Sequence, residues 1–192
     1  MTPERAVVAI WLLWLVSWIA AAFWADPAAR RPSFGQEGLY RIATLSGAFL
    51  LFAGFGRFHL FRPKLWDPGR SADWALVALA LLGLLFTWWA RLYLGRLWSS
   101  SVTRKADHRV VDTGPYAIVR HPIYSGLIAA SFATAALRGT PIGLAGAILM
   151  TLGFAIKARL EERFLREQLG PDAYDSYRRR VPMLIPFAPK SS

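Results

Sequence analysis

The chain has 192 residues, 55% of them hydrophobic, with nine tryptophans, no cysteine and a formal net charge of +11. This composition is typical of a membrane protein and argues against a soluble domain. Without cysteine there are no disulfides, zinc–thiolate sites or cysteine nucleophiles, and because the basic residues fall between and after apolar runs, we expect juxtamembrane charge and no nucleic-acid partner.

Five apolar stretches approach the roughly twenty residues that a helix needs to cross the hydrocarbon layer. They cover residues 6–24, 39–61, 74–94, 122–138 and 140–158. The first is too long and too rich in tryptophan for a signal-peptide core, so we expect a retained span. The breaker-rich turn at residues 138–141 predicts a helical hairpin between the last two stretches. Because backbone groups in lipid must pair internally, we predict an all-α, integral membrane bundle of about five transmembrane helices.

The predicted spans divide into two parts of one integrated domain. Residues 1–94 hold three N-terminal helices, and residues 95–192 hold the hairpin and a C-terminal tail. Lys and Arg number three in 25–41, four in 99–120 and eight in 157–192, against one before the first span, three in 62–73 and one at Arg138. This asymmetry predicts an N-terminus outside and a C-terminus in the cytoplasm. Residues 95–121 and 157–192 would then both face the cytoplasm.

The first polar cluster begins at Gly95 and ends with the stretch GPYAIVRHPIYSG at residues 114–126. His121 and Tyr124 are three residues apart and would share a helix face below a Gly-Pro turn. Polar groups at that depth usually line a cavity. Taken singly, Pro122 also fits an ordinary helix start, and Arg120 an arginine that extends to the headgroups.

The second polar cluster is KARLEER at residues 157–163. Lys157 and Glu161 are four residues apart, as are Arg159 and Arg163, so these pairs lie along the helix at the membrane boundary. Charged runs of this kind are often only solvated helix faces. A carboxylate beside lipid is expensive unless it serves a partner, which favours a functional site.

The tail, residues 174–187, mixes three arginines with apolar residues and prolines. Its pattern suits an interfacial segment, with the arginines on anionic headgroups and the apolar residues in lipid. The sequence has no phosphate-binding glycine loop, no paired-histidine spacing for a metal and no nucleophile elbow. We therefore predict no Rossmann domain and no metal site.

Six elements of the C-terminal half follow one another in the order GRLWS, His108, GPYAIVRHPIYSG, a hairpin, a Glu-Glu pair and LGPDAYDSYRRRVPMLIPF. In this order and spacing the chain resembles the isoprenylcysteine carboxyl methyltransferase family and its relatives, the phospholipid N-methyltransferases. The resemblance covers roughly residues 95–187. It implies a helical membrane enzyme that holds S-adenosylmethionine at the cytoplasmic face. Its methyl group would pass to a lipophilic acceptor from the bilayer, leaving S-adenosylhomocysteine.

The resemblance also implies roles for individual residues. The cofactor would be held by His108, Arg109, Val110, Val111, Tyr116, His121, Pro122, Ile123, Tyr124 and Glu161. Glu161 would meet the amino acid end of the cofactor. Lys157 stands where related carboxylate methyltransferases carry an arginine that grips the substrate acid, and with Arg159 and Glu161 it completes the candidate catalytic set. Ser101 replaces a longer polar residue of some relatives.

Two other functions remain open at this point. Sterol reductases end with a similar RHPxYxG helix, so a membrane reductase using NADPH is one alternative, with Arg178–Arg180 at its 2′-phosphate. A non-catalytic membrane lipid-binding protein is the other. The acceptor also stays open among a prenylcysteine carboxylate, a phospholipid amine, an isoprenoid or phenolic lipid, and a small thiol.

Overall fold

The computed structural model describes residues 1–23, 34–53, 64–95 and 111–188. Within these ranges the chain forms seven helices and no strand, which confirms the all-α prediction. The helices are α1 (Pro3–Ala22), α2 (Phe34–Phe52), α3 (Arg70–Leu94), α4 (Pro115–Ile118), α5 (Pro122–Arg138), α6 (Pro141–Leu169) and α7 (Pro171–Arg180).

Three of the described helices are long and apolar enough to cross a membrane: α1, α3 and the Pro141–Glu167 part of α6. The other two long helices, α2 and α5, have 19 and 17 residues. The predicted stretch 39–61 corresponds to α2 only as far as Phe52, because residues 54–61 lie outside the described part of the chain. The helix predicted to end at residue 158 continues to Leu169, so the charged cluster 157–163 lies on an unbroken helix.

The hairpin between α5 and α6 forms at the predicted turn. Gly139 adopts a left-handed conformation, with φ at 63°, and closes α5. Thr140 then caps α6, since its hydroxyl accepts the amide of Gly143 at 3.2 Å, and Pro141 occupies the first turn.

The helices pack mainly in two pairs, α2 along α6 and α3 along α5. Glycines allow the closest approach in each pair. A Cβ on Gly83 would lie 2.7 Å from the carbonyl oxygen of Gly126, and one on Gly47 would lie 2.7 Å from that of Gly146. The backbones therefore touch directly, as small residues permit between membrane helices.

Opposite ends of the bundle hold different residues. At one end, the indole of Trp66 donates to the carbonyl of Ala136 at 2.8 Å, beside the α5–α6 turn. At the other end, the guanidinium of Arg91 donates to the carbonyl of Ala21 at 3.0 Å, which joins the last turns of α1 and α3. The start of α5 and the charged part of α6 lie away from the Trp66 end, and there they meet the C-terminal segment.

Candidate active site

The segment between α4 and α5 is held in place by the chain that follows α7. The amides of Arg120 and His121 donate to the carbonyls of Pro182 and Met183, at 2.9 and 3.1 Å. The hydroxyl of Tyr177 donates to the carbonyl of Tyr116 at 2.7 Å. The start of α5 is therefore positioned by residues about sixty places further along the sequence.

A buried ion pair connects this segment to α6. Nε of Arg120 donates to Oε1 of Glu162 at 2.7 Å, and the Arg120 side chain is only 1% exposed. The same guanidinium also donates to the carbonyls of Arg178 and Val181. Buried ion pairs are favourable only when their remaining donors are satisfied, as they are here. Arg120 and Glu162 thus fasten the C-terminal segment to the bundle.

His121, which precedes the first residue of α5, lies between two carboxylates. Its Nδ1 is 3.5 Å from Oε2 of Glu161, and its Nε2 is 3.2 Å from Oε1 of Glu162. Burial alone would lower the pKa of His121, but the hydrogen bonds and negative charge of the two glutamates outweigh it, so the pKa lies above its ordinary value. An imidazolium with both nitrogens donating fits this arrangement.

Glu161 points to a different set of partners from Glu162. The hydroxyl of Tyr124 donates to its Oε1 at 2.6 Å, and Nζ of Lys157 lies 3.9 Å from the same atom. The Glu161 side chain keeps 20% of its surface exposed. Its carboxylate is therefore held in one orientation and still has surface for a cationic ligand.

Aromatic rings stack beside this carboxylate. The rings of His121 and Tyr124 are nearly parallel with centroids 5.5 Å apart, and Tyr124 stacks in turn on Phe154 at 5.3 Å. Nζ of Lys157 lies 5.4 and 5.5 Å from the ring centroids of Tyr124 and Tyr40. Because ring faces attract cations, this is a place where positive charge is stabilised.

The structure brings together His121, Tyr124, Lys157 and Glu161 from the predicted set. Other members of that set have packing roles here. Tyr116 is buried, with its hydroxyl 3.4 Å from the carbonyl oxygen of Ala90, and burial raises its pKa. Pro122 is fully buried, and Ile123 packs against the hydrophobic core.

The remaining predicted residues lie away from Glu161 or outside the residues that the structure describes. Val111 is half-buried at the start of a described segment. Residues His108, Arg109 and Val110, as well as Ser101, lie outside the described residues. Arg159 lines a cavity of about 610 Å³ together with Arg163 and Glu162, so it lies apart from Lys157 and Glu161.

Three residues of the site were not assigned from the sequence. Glu162 was part of the noted Glu-Glu pair, and its adjacency to Glu161 was the available signal. Phe154 lies seven residues before Glu161, two helical turns away, so helical spacing would have placed it on the same face. Tyr40 on α2 has no local signal, because only tertiary packing brings it to Lys157.

Comparison with known proteins identifies a family for most of the C-terminal half of the chain. The model of the isoprenylcysteine carboxyl methyltransferase (ICMT) family matches residues 76–167, which include α5, most of α6 and the Glu-Glu pair. These residues belong to the isoprenylcysteine carboxyl methyltransferase family. The family recognised in the sequence is thereby confirmed.

Two curated relatives and one solved structure extend the family match. The chain is similar to protein-S-isoprenylcysteine O-methyltransferase B of Arabidopsis thaliana, with 31% identity over 62% of this chain and 64% of the relative. It is also similar to methanethiol S-methyltransferase 1 of Bradyrhizobium diazoefficiens, with 29% identity over 72% of this chain and 53% of the relative. The chain thus spans less than two thirds of either protein.

The fold is that of the eukaryotic intramembrane Ras methyltransferase ICMT. The two structures superpose with a TM-score of 0.53 at 24% identity, over 77% of this chain and 52% of that one. Together with the three helices long enough to span a bilayer, the family match identifies an integral membrane protein.

Proposed function

We propose that this protein is an S-adenosylmethionine-dependent methyltransferase that acts on a lipophilic acceptor. The observation that carries the proposal is the Glu161 carboxylate beside the His121–Tyr124–Phe154 stack, at one end of the membrane helices. The family match and the activities named for both relatives support it.

The residues present fit the cofactor's charges. S-adenosylmethionine carries an ammonium group and a sulfonium, and when bound it supplies a methyl group activated by the positive sulfur. The partly exposed carboxylate of Glu161 suits the ammonium. Aromatic ring faces attract cations, so the rings of Tyr124 and Phe154 beside Glu161 suit the sulfonium.

The chain's own contribution is to orient groups and to exclude water. Tyr124 fixes the Glu161 carboxylate by a hydrogen bond, and His121 fixes both glutamates. Methyl transfer requires acceptor, methyl and sulfur in line, so this fixed geometry supplies the catalysis, with little covalent work for side chains. His108, Arg109, Val110 and Val111 remain proposed as cofactor neighbours from the family resemblance.

Lys157 is the residue that we propose to meet the acceptor. It lies between the ring of Tyr40 on α2 and Glu161 on α6, so one cation faces both the apolar bundle and the carboxylate. Lysine lacks the bidentate fork with which arginine grips a carboxylate. An acceptor with a single charged or polar atom, such as a thiol or phenol on an apolar body, suits it better than a carboxylate.

The site is proposed to face the cytoplasm. Residues 99–120 and 157–192 carry four and eight Lys and Arg residues, the two largest numbers among the segments between and after the predicted spans. The structure groups α4, the start of α5 and the tail at one end of the bundle. The positive-inside rule assigns that end to the cytoplasm.

The test is methyl transfer by the purified protein in nanodiscs, with tritiated S-adenosylmethionine and a panel of acceptors. The panel holds a farnesylcysteine carboxylate, a thiol, a phenolic isoprenoid and a phospholipid amine. We expect label in at least one acceptor. Glu161→Gln should lower the rate of methyl transfer by about 100-fold or more, while Glu4→Gln at the exposed start of α1 should retain activity. Reduction of a lipid by NADPH without methyl transfer would instead establish the reductase alternative.

A further inference from the structure

A polar cavity lies between α6 and the segment that follows α7. Its volume is about 610 Å³. Arginines line one side of it: Arg159, Arg163, Arg166 and Arg178. The facing wall is formed by the apolar residues 183–185. The cavity shares Arg120, Glu162 and Met183 with the surroundings of His121. Its lining does not include Tyr124, Phe154, Lys157 or Glu161, so it is distinct from the aromatic site that these four residues form with His121.

The arginines of this cavity differ in how far their charge is compensated. Arg166 donates to Oδ2 of Asp175 at 2.8 Å, and Arg178 lies 3.4 Å from its Oδ1. Arg159 and Arg163 have no hydrogen-bond or ion-pair partner among the residues that the structure describes. The cavity therefore carries two exposed guanidinium groups, one helical turn apart, that the rest of the described chain leaves uncompensated.

This arrangement favours an anion with several oxygens. Like charges four residues apart on a helix repel each other, so Arg159 and Arg163 destabilise the free protein slightly. A ligand that both guanidiniums can contact removes that repulsion. Arginine's planar fork matches phosphate oxygens in a bidentate manner, which makes a phosphate group the best partner for the pair.

The position of the cavity indicates which kind of phosphate-bearing molecule it binds. It lies at the end of α6, where the candidate span finishes at Glu167. Ile185, in its apolar wall, is 68% exposed, and Phe187 just beyond is fully exposed. Apolar side chains beside a basic cavity at a membrane boundary match an amphiphile whose charged head continues into acyl chains.

We propose that the cavity between α6 and residues 183–185 binds the phosphate of an anionic phospholipid headgroup through Arg159 and Arg163. The bound lipid joins α6 to the C-terminal segment. That segment positions His121, because the carbonyl of Met183 accepts its amide. The surrounding bilayer therefore stabilises the candidate active site through this cavity.

The experiment measures thermal unfolding of the full protein in a neutral detergent, during titration with phosphatidylglycerol, phosphatidylcholine or inorganic phosphate. The cavity variant is Arg159→Gln with Arg163→Gln. The matched control, Arg70→Gln with Arg179→Gln, removes the same charge from exposed positions outside the cavity. Neither pair touches the aromatic site, so the result is independent of whether methyl transfer is found.

We expect phosphatidylglycerol to raise the melting temperature by several degrees in the wild type and the control, and phosphatidylcholine to have little effect. The cavity variant should need at least about tenfold more phosphatidylglycerol for the same rise in melting temperature. If the cavity variant and the control lose the same part of the stabilisation by phosphatidylglycerol, the effect comes from general surface charge and the proposal is overturned. Equal protection by inorganic phosphate would assign the cavity to soluble phosphates and overturn it as well.

Discussion

The apolar bundle and the polar end of this protein are held together by different means. In the bundle, glycines bring backbones into contact, and most of the buried polar side chains of its interior are neutral, with Arg91 and Arg138 near the helix ends. The indoles of Trp11 and Trp14 donate to the hydroxyls of Thr134 and Thr87, at 3.0 and 2.7 Å. Each of these two indole donors has one acceptor, and the rest of the contact is packing.

At the polar end, buried polar groups are compensated by charged partners. Arg120 contacts one carboxylate and two carbonyls, and His121 contacts two carboxylates. Buried ions are tolerated only with several partners each, so removal of one partner leaves an uncompensated charge. The comparison indicates that the bundle is held mainly by close packing, whereas the polar end is held by charged partners and forms a preorganised site.

The largest effect that separates the two regions is expected at Arg120. Arg120→Met leaves Glu162 buried without its main partner, which should lower the free energy of unfolding by about 3–5 kcal/mol. The double variant Arg120→Met, Glu162→Met removes both charges and should recover a large part of that loss. Chemical denaturation in mixed micelles checks both, and a double variant less stable than the single one would contradict this view.

In the bundle, the corresponding disruption is steric. A Cβ on Gly126 overlaps the carbonyl oxygen of Gly83, so Gly126→Ala should destabilise the protein by about 1–3 kcal/mol. Gly38→Ala is the matched control, because nothing lies within 4 Å of its Cβ, and alanine there should stabilise α2 by up to about 1 kcal/mol. Melting temperatures of the two variants should therefore move in opposite directions.

The polar end should also respond to pH where the bundle does not. The pKa of His121 is raised in the folded protein, so its contribution to stability is complete below its ordinary value of about 6.5 and is lost as the pH rises through the raised value. We expect the melting temperature to fall as the pH rises above about 6.5. His121→Gln should flatten this slope, and an unchanged slope in that variant would exclude the imidazolium.

The smallest effect is expected from a neutral hydrogen bond of the bundle. Trp11→Phe removes the indole donor and leaves the Thr134 hydroxyl with its own acceptor, the carbonyl of Ala130. The loss should be about 1 kcal/mol, and the further change Thr134→Val should add little. A double-mutant cycle by thermal unfolding measures the coupling directly.

The sequence predicted most of the helices and the main site residues because their signals are local. Apolar length located α1, α3 and α5, and the pair of charged segments located His121, Tyr124 and Glu161. Arg159 was grouped with Lys157 by proximity, yet two residues along a helix turn by about 200°, so the two side chains point to different faces. Helical phase was sufficient to separate them.

Other features needed the tertiary structure. Tyr40 reaches Lys157 only because α2 packs along α6, and no pattern near residue 40 indicates this. The backbone of His121 is placed by residues 182 and 183, through contacts that span sixty positions. The separate roles of Glu161 and Glu162 likewise depend on which elements each carboxylate meets.

The measurement that tests the account most directly is calorimetric titration of S-adenosylhomocysteine into the wild type, Glu161→Gln and Glu162→Gln, with NADPH in parallel. The account predicts saturable binding of the homocysteine product by the wild type. It predicts that Glu161→Gln loses this binding while it remains folded, and that Glu162→Gln loses mainly stability. Full binding by Glu161→Gln, or binding of NADPH alone, would contradict the assignment of the aromatic site to a methyl donor.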